Sequence, residues 1–384
     1  MRSLVLLLLI LAAVPRAARS QSVTEVIFGR LTNEIAQSFA RSYPLISASA
    51  GVSYRFDPAT ATFEREAAMV GQLFLERADP IGRGHWNFSA SYQRVALDTI
   101  EGKDVHTLSD KVPIALIDSS FNVVGVATFD KLDASAVLHQ TTFSVTYGIT
   151  DDADVNLTLP VIYSNLDTQL NLSATVLSTG QTVHSSADAP SRDAGAGDVI
   201  LRGRYRLIER DPVHVAAGLV LRFPSGNVEQ LRGTGVYEVA PLLYASTSPW
   251  QPASWARITG YLNGGVDFIA DDVSASEARW GIGLDWGISE GAAVGMAVLG
   301  RNLFQRLAPP GFFDVVRVRP GPRLTAEPLF GLQGHRPDYY DFSLGGRLNV
   351  WRDTVILFAN AVFPLNDAGI RTEIIPLIGL EVTL

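Results

Sequence analysis

Arg202, Arg204 and Arg206 occupy every second position of the stretch 199–207, and Val199, Leu201, Tyr205 and Leu207 alternate with them. In an extended strand successive side chains point to opposite faces, so the arginines share one face and the apolar residues the other. The same period of two recurs. Trp280, Ile282, Leu284, Trp286 and Ile288 alternate with Arg279, Gly281, Gly283, Asp285 and Gly287. Tyr340, Phe342, Leu344, Leu348 and Val350 alternate with Asp341, Ser343, Gly345, Arg347 and Asn349, and Ile374, Ile378, Leu380, Val382 and Leu384 with Glu373, Gly379, Glu381 and Thr383. From about residue 84 onward the chain reads as β throughout.

Twelve candidate strands follow: 84–97, 134–149, 153–167, 197–209, 212–224, 234–247, 254–268, 276–288, 291–303, 338–350, 353–363 and 371–383. Globular strands typically have about five or six residues, whereas these run 11 to 16. A tilted strand needs about 9–11 residues to cross a bilayer. The links alternate in length. Short ones lie at Thr150-Asp151-Asp152, Arg210-Asp211, Ser248 to Pro252, Ser289-Glu290 and Trp351-Arg352, and longer ones at 98–133, 168–196, 225–233, 269–275, 304–337 and 364–370. That rhythm is expected of an up-and-down antiparallel transmembrane barrel with short periplasmic turns and long external loops. Aromatics fall near many strand ends, as interface girdles require: Trp86, Tyr147, Tyr163, Tyr205, Trp255, Phe268, Trp280, Trp286, Phe304, Tyr339, Trp351 and Phe363.

The N-terminus indicates export. Arg2, an apolar run from Leu4 to Val14, Pro15 and the small residues Ala18 and Ser20 describe a secretory signal over 1–20. The apolar run is too short to span about 30 Å of hydrocarbon. After it, no apolar run reaches the ~18 residues of a spanning helix, so a membrane form of the mature chain has to be a closed barrel. Without the leader and its three arginines, 28 basic residues face 39 acidic ones. A net acidic chain gives no support for nucleic-acid binding. The absence of cysteine excludes disulfides, thiolate metal sites and cysteine nucleophiles.

Residues 21–83 differ from the barrel region 84–384. Val23, Ile27, Leu31, Ile35 and Phe39 recur at i+4 spacing, an amphipathic helix ending before Pro44. Stretches 49–57 and 63–76 read as short strands. This region either plugs the lumen, lies in the periplasm or covers a barrel mouth.

Chemistry-bearing motifs are scarce. There is no Walker A, dinucleotide fingerprint or His-Glu-x-x-His zinc motif. Asp151-Asp152-Asp154 and Asp271-Asp272 lack calcium-loop spacing and read as turn residues. No serine stands out beside His85, His106, His139, His184, His214 or His335, so no catalytic residue, metal or cofactor is expected. The candidate site is the lumen face: Arg202, Arg204, Arg206, Arg222, Glu238, Arg257, Asp267, Arg279, Asp285, Arg301, Asp341, Arg347, Glu373 and Glu381. These mixed charges either line a water-filled path or cross-brace a narrow interior. The arginine ladder of 202–206 repels itself unless neighbouring strands supply carboxylates.

Several short motifs carry a resemblance. They are Phe74-Leu75-Glu76-Arg77-Ala78, Ile81-Gly82-Arg83-Gly84, Thr146 to Asp151, Gly197 to Arg202, Leu221-Arg222-Phe223-Pro224-Ser225-Gly226 and Phe363-Pro364-Leu365-Asn366-Asp367. Over roughly 70–384 the chain resembles the "meta-pathway of phenol degradation" outer-membrane proteins, with FadL-type hydrophobic-compound channels as a distant analogue. The resemblance implies a porin-like barrel in a Gram-negative outer membrane that admits small, often aromatic or hydrophobic compounds. Its partners would be outer-membrane lipids, the barrel assembly machinery and a small-molecule solute. Members of that group usually end in an aromatic residue; here Leu384 keeps the alternation without the ring. Two other readings stay open: a closed structural barrel whose loops 98–133 and 304–337 bind partners, and a membrane-embedded lipid hydrolase.

Overall fold

In the computed structural model the described residues are 47, 53–57, 62–67, 74–117, 123–188, 190–253, 256–289, 291–304, 314–318, 324–328, 338–351 and 354–384. The leader 1–20, the helix expected over 23–41 with Val23, Ile27, Leu31, Ile35 and Phe39, and Trp255 lie outside them.

Twelve strands build a barrel: β1 (Trp86–Ala96), β2 (Val123–Gly148), β3 (Ala153–Val176), β4 (Val199–Arg210), β5 (Val213–Phe223), β6 (Glu238–Thr247), β7 (Ala256–Ile269), β8 (Glu277–Ser289), β9 (Ala292–Leu303), β10 (Asp338–Trp351), β11 (Val355–Pro364) and β12 (Ile375–Thr383). Each pairs antiparallel with the next. β12 returns to β1 with Leu377 opposite Gln93 and Thr383 opposite Asn87, which closes the sheet and removes its edges. Each expected strand has its counterpart. Among the described residues helical structure is confined to two three-residue 3-10 turns.

Both faces follow from the alternation. Outside, Phe88, Phe143, Leu157, Leu159, Leu219, Leu243, Leu262, Ile282, Leu344, Leu357 and Ile378 stay exposed. Inside, Asn87, Ser91, Gln93, Thr142, Asn156, Thr158, Thr259, Ser343 and Asn360 are buried. This inverts a soluble protein, with polar residues enclosed and large apolar ones left uncovered. Aromatics rim the outer face at both ends. Trp86, Tyr205, Trp250, Trp286 and Trp351 lie near the short turns, and Tyr163, Phe223, Tyr237, Phe268, Trp280 and Phe363 near the long loops. Tyr339 departs from the expected girdle, since it points inward and is buried.

Two expected links are also strand. β2 starts near 123 instead of 134, and β3 runs to 176 instead of 167. Their outer halves form a ribbon with strands Leu108–Ile117, Thr182–Asp188 and Ser191–Ala196. On β3 the outward positions read Val155, Leu157, Leu159, Val161, Tyr163, then Asn165, Asp167, Gln169, Asn171, Ser173, Thr175. The strand continues while its outer face turns polar after Tyr163, which hides the continuation from an apolar-alternation reading. Ahead of the barrel, Ser53–Asp57 pairs with Thr62–Ala67; of the rest of the second expected strand, 74–76 are not strand and 68–73 lie outside the described residues.

Candidate functional site: a charged lumen crossed by residues 74–81

The segment before β1 does not leave the barrel. Gly82 and Gly84 have φ of 98° and 77°, a left-handed backbone that glycine adopts without strain. Gly84 N donates to Gly148 O at 2.8 Å, fixing the turn against the end of β2. Upstream of it, Leu75, Ala78 and Ile81 are almost fully buried. Leu75 packs with Tyr261, Ala297 and Leu299, and Ala78 with Ala216 and Tyr244, all on strands of the far wall. A Cβ on Gly281 or Gly283 would stand 2.4 or 2.8 Å from the Leu75 methyls, so these two glycines of β8 make the recess for that side chain.

Polar contacts hold the same segment. Ala78 N donates to Ser246 Oγ at 3.2 Å and Ile81 N to Asp154 Oδ2 at 3.0 Å. Arg204 Nη1 donates to the Arg77 carbonyl at 2.8 Å and stands 3.7 Å from Glu76. Asp79 Oδ1 lies 2.6 Å from His214 Nδ1 and 3.8 Å from Arg206 Nη1. Burial pushes the Asp79 carboxyl up, but the His214 hydrogen bond and the charges of Arg77, His214 and Arg206 outweigh it and hold the group below its ordinary value.

The arginine ladder of β4 meets the compensation it requires. Arg204 pairs with Asp154 through Nη2 and through Nε at 3.2 Å. Arg206 reaches Asp152 at 2.8 Å and Glu209 at 3.0 Å. Arg202 donates to Asn156 at 3.2 Å and Thr158 at 3.0 Å. Asp152 and Asp154, which read as turn residues, therefore serve the lumen.

Toward the loop end, Arg222 pairs with Glu238 at 3.2 Å, and Arg279 with Asp267 and, at 2.6 Å, with Glu277. Arg301 and Arg371 each stand 4.5 Å from the Tyr339 ring centroid, in cation–π range, and Arg371 binds Asp341 at 2.8 Å. Asp285 accepts from the Tyr261 hydroxyl at 2.8 Å, and Arg347 stands 3.5 Å from Glu381. Arg257 shares the inward face with Thr259 and Tyr261 and is half-buried. Glu373 is the correction. It precedes β12, is exposed, and its backbone N–H donates to Asp98. The regular alternation of this strand begins only at Ile375, two residues later.

Glu76, Arg77, Asp79, Asp152, Asp154, His214, Glu277 and Arg371 belong to this network without having been expected there. Parity carries a usable signal for three of them: Glu277 shares it with Arg279, His214 with Arg222, and Arg371 with Glu373. Between Phe74-Leu75-Glu76 and Arg202, Arg279, Arg301 and Asp341 lies a cavity of about 120 Å³. Asn263 also lines it, and its buried Oδ1 has no hydrogen-bond partner among the described residues.

Elsewhere the chemistry is sparse. Among the described residues no group of three or more His, Cys, Asp or Glu could hold a metal ion. Ser173 on the exposed ribbon touches His184 Nδ1 at 2.8 Å, but Asp130 binds the serine. In a hydrolytic triad the carboxylate orients the histidine.

No family model and no curated protein matches the chain. Among solved structures it is similar to the COG4313 outer membrane channel from Pseudomonas putida F1, with 12% identity, TM-score 0.47, and 80% of this chain and 98% of that one covered. It is also similar to a FadL homologue of Pseudomonas aeruginosa (8%, TM-score 0.31, 79% and 90% covered) and to the CymD monoaromatic hydrocarbon channel (6%, TM-score 0.32, 79% and 89% covered). These likenesses are distant, and the barrel assignment rests on the strand pairing itself.

Proposed function

We propose that this chain is an outer-membrane barrel that passes small molecules through a lumen constricted by its own residues 74–81. The observation that carries the reading is the pairing of an uncovered apolar outer face with an enclosed polar inner one. Only a hydrocarbon surround makes the first favourable, and a polar inner face suits a hydrated path. The described part of the constriction, residues 74–81, is held to the wall by a few hydrogen bonds and ion pairs, and Ser47 reaches the same cavity. Passage in this reading is passive. The cavity sets apolar Phe74, Leu75 and Val220 beside arginines, which favours small solutes with an apolar body, in keeping with the resemblance to hydrophobic-compound channels.

Liposome swelling tests the reading. Vesicles holding folded protein should swell in small aromatic solutes faster than empty vesicles, and more slowly as solute size grows. Swelling no faster than empty vesicles, with the protein shown to be folded, would remove the transport reading.

A second reading, a closed structural barrel, is favoured by the extent of charge pairing: Arg204, Arg222, Arg279, Arg347 and Arg371 all stand within ion-pair distance of carboxylates. The same swelling assay separates the two.

A further inference from the structure

Arginines of the barrel strands point inward at 202, 204, 222, 301 and 347, where carboxylates, amides and aromatic rings receive them. Arg94 of β1 does the opposite. Gln93 and Val95 on either side are buried and Arg94 is exposed, so it stands on the outer face. It has no hydrogen-bond or ion-pair partner among the described residues. We propose that Arg94, with His139 and Arg192, forms an external site for the phosphate of an anionic glycolipid of the outer leaflet. The proposal rests on the membrane reading above and is independent of transport.

Strand register sets the three residues in one row across the outer wall, with Arg94 and Arg192 three strands, or roughly 14 Å, apart, a span for the headgroup of one glycolipid. Arg94 lies opposite His139 on β2, and His139 opposite Tyr163 on β3. The next outward residue of β3, Asn165, lies opposite Arg192 and accepts from its Nε at 3.3 Å. Arg192 is exposed. The Tyr92 hydroxyl lies 2.7 Å from His139 Nδ1. When Tyr92 donates there, the ring proton sits on Nε2 as a further donor.

Height decides which chemistry the cluster meets. Arg94 is eight residues beyond Trp86, which marks the girdle at the turn end; His139 is eight from Tyr147, and Tyr163 eight from Val155. Eight residues at about 3.4 Å each, tilted by roughly 40°, rise about 20 Å, close to the ~25 Å height of a barrel's apolar band. The composition of β3 places the edge at the same level, since Tyr163 is its last large apolar outward residue before Asn165. The cluster therefore stands where hydrocarbon gives way to headgroups. An unpaired guanidinium is costly within hydrocarbon and well placed at that boundary, provided it finds an anion. Carboxylates of this sector, Asp98, Asp133, Asp167 and Glu373, lie further toward the loops and are partly or fully exposed, with Asp133 paired to Lys131. The other outer girdle positions, Phe223, Phe268, Trp280 and Phe363, carry no charge. A phosphate-bearing lipid is thus recognised in one sector of the wall.

Native mass spectrometry of the full chain in detergent tests this with bisphosphorylated lipid A and its phosphate-free analogue as probes. The expected result is at least tenfold stronger binding of the phosphorylated lipid. Arg94→Gln/Arg192→Gln should lose that preference, and Arg210→Gln, an exposed arginine at the turn end, should keep it. Equal binding of both lipids, an unchanged double variant, or full displacement by millimolar inorganic phosphate would overturn the proposal. Heat-modifiable gel mobility verifies that each variant is a folded barrel. Failure of the wild type in that assay would instead count against the membrane reading.

Discussion

Asp79, five residues before the barrel begins to pair at Gly84, lies 2.6 Å from Nδ1 of His214 on β5, across the inside of the lumen. An ionised carboxylate can only accept, so Nδ1 carries the proton in this contact. The pair fastens the N-terminal segment to the wall it would otherwise pass.

That fastening predicts a pH dependence. The Asp79 carboxyl is held below its ordinary value of 3.8, so its contribution is complete above that value and is lost as pH falls through the lower folded one. Hydrogen exchange of residues 74–81 should be slow and constant from neutral pH down to about 4, once corrected for intrinsic rates, and should accelerate at more acid values. In Asp79→Asn the faster exchange should already be present at neutral pH.

Arg204 holds Asp154, Glu76 and the Arg77 carbonyl at once. Arg204→Gln leaves the buried Asp154 and the partly buried Glu76 without their cation, and removing one partner of a buried pair costs about 3–5 kcal/mol. Urea unfolding in lipid should register a loss of that order. Asp151→Asn, at the turn, should change stability by less than about 1 kcal/mol.

Leu75 sits in the recess left by Gly281 and Gly283. Gly281→Val should evict it while leaving the outer wall intact. Leu75→Ala should loosen the segment by about 2–4 kcal/mol, in line with truncation of a buried leucine. In both variants protease sensitivity should rise within 74–81 and nowhere on the barrel strands.

The chain has no cysteine, so an introduced pair has no competitor. Ala78 and Ala216 are fully buried against each other's surroundings. Ala78→Cys/Ala216→Cys should form an intrachain disulfide under mild oxidation, seen as a loss of two hydrogens in the intact mass. A segment lying outside the lumen would leave both thiols alkylatable.

The strands were legible because each carries a lipid-type face and a polar face in strict alternation, and short turns such as Arg210-Asp211 interrupt the pattern cleanly. β2 and β3 were read short because beyond Tyr163 and His139 the outer face becomes polar, although hydrogen bonding continues. The identity of the inward charges was legible from parity, but their partners were not. Whether Arg204 meets Asp154 depends on the register of β3 against β4, which no local signal states. Residues 74–81 were the least legible. Phe74-Leu75-Glu76-Arg77-Ala78-Asp79 has neither helical nor strand period, and its partners Ser246, His214 and Asp154 lie 73 to 168 residues away.

Single-channel conductance in planar bilayers, with wild type compared to Leu75→Ala/Asp79→Asn, reads the constriction most directly. A lumen constricted by residues 74–81 predicts small steps from the wild type and several-fold larger, more frequent ones from the variant. Folded wild type and variant with identical steps, or with no steps at all, would contradict it.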